Sequence, residues 1–111
     1  MDEITATELK DLLDSGKGVT LLDCRRAEVY RQEHIPGAIN AHWSEVVDKA
    51  PAVLSDKNKI VVTYCSGFTF DASVRCYENL KALGYTNLKE YAGGITDWKA
   101  HGYETVKEDG V

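Results

Sequence analysis

Two short apolar runs constrain this chain more than anything else in it: Val19–Leu22 (VTLL), closed by Asp23, and Ile60–Tyr64 (IVVTY), closed by Cys65. Neither alternates apolar with polar residues and both are too short for an amphipathic helix, so they read as strands covered on both faces. Such strands belong to parallel sheets, whose crossover connections are usually helices. The flanking segments fit that demand. Thr5–Glu8 (TATE) has the pattern of a capping box, and Leu9, Leu12 and Leu13 follow at helical spacing until Gly16. Ala27–Gln32 predicts a short helix, His34–Gly37 (HIPG) a turn, Ala38–Asn40 a brief strand and Trp43–Lys49 a further helical segment. Ser73–Leu83 carries Cys76, Tyr77, Leu80 and Leu83 on one face, with Gly84 placed to stop it. Asn87–Tyr91 predicts the last strand, and Gly93–Trp98 (GGITDW) turns into a terminal helix that buries Ile95 and Trp98. Strands alternating with helices place the chain in the α/β class with a largely parallel sheet.

At 111 residues and 43% hydrophobic content, the chain suits one compact domain over residues 1–111. Its core is expected over about residues 4–102, followed by a polar tail, 103–111. Thirteen Lys and Arg are scattered among 18 Asp and Glu, for a net charge of -5, which leaves no basic stripe for nucleic acid or an anionic membrane. The start, MDEITATELK, lacks a basic region followed by an apolar run, and no stretch approaches the roughly 18 consecutive apolar residues of a spanning helix. A soluble, cytoplasmic protein is expected. Cys24, Cys65 and Cys76 form no CxxC pair, and His34, His42 and His101 have no metal-ligand spacing, so neither a disulfide framework nor a metal site is expected.

Each cysteine then needs its own account. Cys65 ends a strand and a helix starts shortly after it, the position at which ligands gather in an open α/β sheet. A loop formed by Ser66, Gly67, Phe68, Thr69, Phe70, Asp71, Ala72 and Ser73 and wrapping toward that helix N-terminus can aim backbone N–H groups inward, as a cradle for an anion. Such donors favour a thiolate over a thiol, and they also suit a persulfide or an oxyanion. The competing reading is that Cys65 is a small core residue at a strand end, the ordinary fate of a free cysteine. Cys24 follows Asp23 at the end of the other strand and can face the same crevice, as a resolving thiol or disulfide partner; Cys76 sits on an apolar helix face, where packing accounts for it. Asp23 and Arg25 are expected to pair structurally near the site, alongside His34, and Trp43 and Trp98 to anchor core or loops.

These residues resemble the rhodanese-like domain family from about Ile4 to Gly102. LLDCRRAEVYRQEHIPGAIN (Leu21–Asn40) is similar to the family's early signature, IVVTYCSG to the strand that presents its cysteine, and LKALGYTNLKEYAGGITDW (Leu80–Trp98) to its closing helix, strand and Gly-Gly turn. The resemblance implies a rhodanese-like fold, a five-stranded, mainly parallel sheet flanked by helices. It also implies sulfurtransferase activity in which Cys65 carries a sulfane sulfur as a persulfide. The partners it implies are a small sulfur-containing donor or a protein persulfide, and a thiol or cyanide-like acceptor, with no metal or organic cofactor.

The loop departs from the family pattern. Common single-domain members have an arginine where this chain has Phe70, and the phosphatase and arsenate-reductase relatives have one where it has Asp71. The loop is also about two residues longer than usual. A carboxylate at Asp71 repels an oxyanion, which disfavours phosphatase chemistry. Asp71 is expected to cap the Ser73 helix, the alternative being that it faces the thiol. Phe68 and Phe70 either line an apolar pocket or pack inward to brace the loop. A catalytic sulfurtransferase and a non-catalytic rhodanese-like binding module both remain open, the second because of the absent arginine.

Overall fold

The computed structural model describes residues 1–108. Nine elements follow in order: α1 (Ala6–Asp14), β1 (Thr20–Asp23), α2 (Ala27–Gln32), β2 (Ile39–Asn40), α3 (Val46–Val53), β3 (Val61–Tyr64), α4 (Ala72–Ala82), β4 (Leu88–Tyr91) and α5 (Gly94–Ala100). The strands form one parallel sheet in the order β2-β1-β3-β4. All four residues of β3 are buried, as a strand flanked by neighbours and covered on both faces must be.

The expected fifth strand is absent among the described residues. At that edge, Ile4 N–H donates to the Glu90 carbonyl (3.0 Å) and Glu90 N–H to the Asp2 carbonyl (2.8 Å), leaving a single parallel bridge at Glu3. The cause is the helix start: Thr5 caps α1 with both halves of the capping box formed, so the extended run ends before it can lengthen. The helix expected over Trp43–Lys49 instead occupies Val46–Val53 and contains Pro51. Val46 and Ala50 are buried there, and the Tyr85 hydroxyl lies against the Ala50 and Leu54 carbonyls, a tertiary anchor that local spacing does not reveal. The segment expected as a polar tail runs back over the body as far as it is described. Trp98 Nε1 donates to the Glu104 carbonyl (2.8 Å), and Val106 bridges His34 in antiparallel fashion; residues 109–111 lie outside the described residues.

Two apolar clusters sit on opposite faces of the sheet, because side chains alternate along each strand. Leu22, Val61 and Leu88 pack with Ala50, Cys76 and Leu80 on the α3/α4 side. Leu21, Val62, Tyr64 and Tyr91 pack with Leu9, Ile95 and Trp98 on the α1/α5 side. Among the described residues no helix is long and apolar enough to cross a membrane.

A buried carboxylate closes β1 on the α1/α5 side. Asp23, wholly buried, receives Arg25 Nη2 at 2.8 Å and the Tyr64 hydroxyl at 2.8 Å, while Arg25 Nη2 also reaches the Glu33 carbonyl at 2.6 Å. Burial pulls the guanidinium down, but the hydrogen bond and charge of Asp23 outweigh it and hold Arg25 above its ordinary range. Burial first, and then the Asp23 charge, push the Tyr64 phenol up, so it stays a hydrogen-bond donor. Tyr64 Oη also accepts the Ile35 N–H at 3.1 Å. The expected Asp23–Arg25 pair is therefore present, enlarged by a tyrosine. Tyr64→Phe should lose about 1–3 kcal/mol of unfolding free energy in urea titration, since it strips Asp23 and the Ile35 amide of a partner at once; a loss under about 0.5 kcal/mol would show that water replaces the hydroxyl.

Candidate functional site

Cys65 follows the last residue of β3 and is 1% exposed. Strand alternation puts it with Val61 and Thr63 on the α4 side. Its Sγ lies 3.4 Å from Ser73 Oγ and 3.6 Å from the Phe70 carbonyl oxygen. Ser73, on the first turn of α4, donates its hydroxyl to Glu90 Oε2 at 2.6 Å, and its carbonyl accepts from Thr63 Oγ1 at 3.1 Å. Thr63 and Glu90 are register partners across β3 and β4. Glu90 is 4% exposed, and sequence reasoning passed it over. Its signal was parity: Glu90 shares a strand face with Leu88, so one of two inward positions of β4 on the α4 side is a carboxylate.

The start of α5 holds the base of the loop. Ile95 N–H donates to the Cys65 carbonyl and Thr96 N–H to the Ser66 carbonyl, both at 3.1 Å. In trans, planar peptides N–H and C=O point oppositely, so the Ser66 and Gly67 N–H groups face away from α5. Among the described residues, the amides of Ser66, Gly67, Phe68, Thr69, Asp71, Ala72 and Ser73 have no protein acceptor; Phe70 N–H donates to the Gly67 carbonyl at 3.1 Å. The glycine this arrangement demands is Gly94 and not Gly67, which has no positive φ and room for a Cβ. At Gly94 φ is +64°, and a Cβ there would collide with the Cys65 carbonyl and sit 2.7 Å from Gly67 N.

Several expectations need correction. Helix α4 begins at Ala72, so Asp71 stands at its N-cap position, but its side chain makes no capping hydrogen bond. Its carboxylate pairs with Arg75 Nε at 3.1 Å on the surface, and so faces neither the helix amides nor the thiol. Arg75 in turn lies over the Trp43 ring, 4.7 Å from its centroid. Phe68 (75% exposed) and Phe70 (59% exposed) do not pack inward. Phe68 lines one side of a cleft shared with Ile4, Ala6 and Tyr91, whereas Phe70 projects to solvent; Thr69 is exposed as well. Cys24 is wholly buried among core residues, where burial first, and then the Cys76 thiol, push its own thiol well up. It is a neutral packing group beside Cys65 on the same face of the sheet, Cys76 packs in the same cluster, and all three cysteines are free. His34 stacks on Tyr30 with centroids 3.9 Å apart, and its Nδ1 meets the Tyr30 carbonyl at 2.8 Å, a structural role beneath α2.

Because Gly94 meets the loop backbone and Gly16 meets nothing, two substitutions at positive φ should separate. Gly16→Ala should cost about 1 kcal/mol and Gly94→Ala about 3 kcal/mol or more, read from urea midpoints. Asp71→Asn should cost at most about 1 kcal/mol, as for an exposed pair, and leave iodoacetamide labelling of Cys65 unchanged.

The model of the rhodanese-like domain matches residues 5–101 of this chain. The chain is 38% identical over 76 residues to the thiosulfate sulfurtransferase PspE of Escherichia coli (strain K12), covering 68% of this chain and 70% of that protein. It is 41% identical over 101 residues to an HTH-type transcriptional regulator of Mycobacterium tuberculosis, covering 91% of this chain but only 43% of the regulator. The solution structure of a rhodanese-like domain from Anabaena sp. superposes with a TM-score of 0.84 at 30% identity, covering 96% of this chain and 80% of that one.

Proposed function

Because the chain belongs to the rhodanese-like domain family, we propose that it is a sulfurtransferase in which Cys65 carries a sulfane sulfur, as a persulfide, from a donor to a thiol or cyanide-like acceptor. The observation that carries this reading is the pairing of a strand-end cysteine with a run of loop amides that have no protein acceptor. With thiosulfate as donor, the Cys65 thiolate attacks the outer sulfur, an S–S bond forms, and sulfite leaves with the electron pair of the bond it shared with that sulfur. The persulfide anion keeps the negative charge that the loop amides stabilise. An acceptor such as cyanide then attacks the terminal sulfur, leaves as thiocyanate and returns the thiolate. Neither step needs a metal or an organic cofactor.

Cys65 as a residue is 1% exposed, so a donor reaches its sulfur only after the site opens. The covering segment has little to lose by moving, with one internal backbone hydrogen bond and both phenylalanines outside. The loop lacks Arg and Lys between Ser66 and Ser73, so it binds a persulfide through amides and has no fork for a phosphate dianion. The burial of Cys65 also favours a second reading, a rhodanese-like module that binds a partner without transferring sulfur.

Intact mass separates the two. Incubation with thiosulfate or polysulfide should add one sulfur to the wild type and to Cys24→Ser and Cys76→Ser, and none to Cys65→Ser. A wild type that stays at its own mass with every donor would leave the binding module standing. Hydrolysis of an aryl phosphate should be negligible, and phosphate should not protect Cys65 from alkylation; Cys65-dependent turnover of a phosphomonoester would defeat the sulfurtransferase reading.

A further inference from the structure

Glu90 is a carboxylate on the core side of a sheet, and among the described residues its one side-chain hydrogen bond is to Ser73 Oγ. Ser73 is 1% exposed and has a single hydroxyl proton, which it gives to Glu90 at 2.6 Å. Its lone pairs are thereby turned toward Cys65 Sγ, 3.4 Å away. The other hydrogen-bond partner of that sulfur among the described residues is the Phe70 carbonyl, also an acceptor. Two acceptors at one sulfur suit a thiol, with its S–H as the donor; a thiolate in the same place would face the lone pairs of both. For a thiolate to be held in this place the Ser73 hydroxyl must turn to it, and Ser73 Oγ must then accept a proton bond from the opposite side. The group on that side is the Glu90 carboxyl.

We propose that Cys65, Ser73 and Glu90 form a buried proton relay, in which Glu90 takes the Cys65 proton through the Ser73 hydroxyl and so arms the sulfur for transfer. The proposal rests on the reading of Cys65 as the sulfur carrier. The S–H bond breaks and its electron pair stays on sulfur, while a new O–H bond forms at Ser73 Oγ. The original Ser73 proton passes to Glu90 Oε2. The products are a thiolate that accepts from Ser73 and a carboxylic acid that donates to Ser73. The triad keeps its net charge and nothing is oxidised or reduced, so no pair of buried anions is created. When the acceptor has removed the sulfur, the same path returns the proton to Cys65. An apolar residue would fill the Glu90 position at lower cost, and a buried carboxylate whose only tether is a serine beside a thiol is accounted for by this role.

Other titratable groups around Glu90 are already engaged or removed from it. Lys89 alternates to the other face of β4 and pairs with Asp2 at 3.0 Å, and Glu3 is exposed at the edge bridge. On α4, the Tyr77 hydroxyl accepts the Asp2 N–H at 3.2 Å, Cys76 lies in the core cluster, and Arg75 holds Asp71 at the surface. On the β1 side, Cys24 is kept a neutral thiol by burial.

The test is the pH dependence of iodoacetamide labelling at Cys65, followed by peptide mass in the full chain, for wild type, Glu90→Gln, Ser73→Ala and the double variant. Gln keeps the shape and the hydrogen bond from Ser73 but cannot take up a proton. Each single variant should label about tenfold or more slowly at pH 7, with the rise in rate moved to higher pH by about one unit or more and wild-type rates regained in alkali. The double variant should be no slower than the slower single, because either change breaks the same path. Labelling of Glu90→Gln at the wild-type rate would overturn the relay. So would faster labelling, which is the result if the Glu90 charge only repels a thiolate, and so would losses that multiply in the double variant. If Glu90→Gln fails to show the wild-type far-UV spectrum, Ser73→Ala decides alone, and an unchanged profile for it overturns the proposal. Labelling needs no sulfur donor, so a wild type that takes up no sulfur would sink the sulfurtransferase reading while the relay is still judged on its own data.

Discussion

The burial of one negative charge organises this molecule. Asp23 has no exposure, and a carboxylate taken out of water costs several kcal/mol unless its lone pairs are filled. The filling comes from three groups on two residues: the Arg25 backbone and guanidinium, and the Tyr64 phenol. Asn40 Nδ2 bonds the Asp23 and Arg25 carbonyls at 3.0 and 2.8 Å, which brings β2 into the same knot. The ends of β1 and β3 are thus tied through a single charge, and β2 is tied to them through the Asn40 amide. Cys65 is the next residue after Tyr64, so its place at the carboxyl edge of the sheet follows from that requirement.

From that edge, the two helices that flank the loop do different work. The first amides of α5 are consumed by the Cys65 and Ser66 carbonyls, and Gly94 lets that backbone come close enough to do it. This fixes the base of the loop and turns the following N–H groups the other way. Helix α4 instead supplies Ser73, whose hydroxyl joins the sulfur to a carboxylate on β4. One face of the sheet therefore carries mechanical support through Tyr64, Tyr91 and Trp98, and the other carries the polar chain through Thr63, Ser73 and Glu90. The exposed phenylalanines lie outside both.

Residues whose role is local were legible in the sequence. The Thr5–Glu8 capping box, both apolar strands and the apolar face of Ser73–Leu83 follow from spacing and propensity, and the structure has them. Residues whose role depends on a distant partner were not. Asp71 had the right type and position for a cap, but Arg75 one turn along competes for its carboxylate and wins. Phe68 and Phe70 left two readings open, lining a pocket or packing inward, and both side chains are exposed, with Phe68 at the side of a cleft. The fifth strand failed because Thr5 starts a helix immediately after a short edge contact.

By itself, then, the sequence determined the α/β alternation, the order of the elements, the family and the cysteine at the end of β3, because periodicity, capping and turn chemistry act over a few residues and are written in neighbouring letters. Only the tertiary structure decided which polar groups meet. Ser73 and Glu90, 17 positions apart, meet where α4 packs on β4, and Asp23 and Tyr64, 41 apart, are partners in the parallel register of β1 and β3. A hydrogen bond between such residues has no period in the chain, since its geometry exists only once the strands have paired.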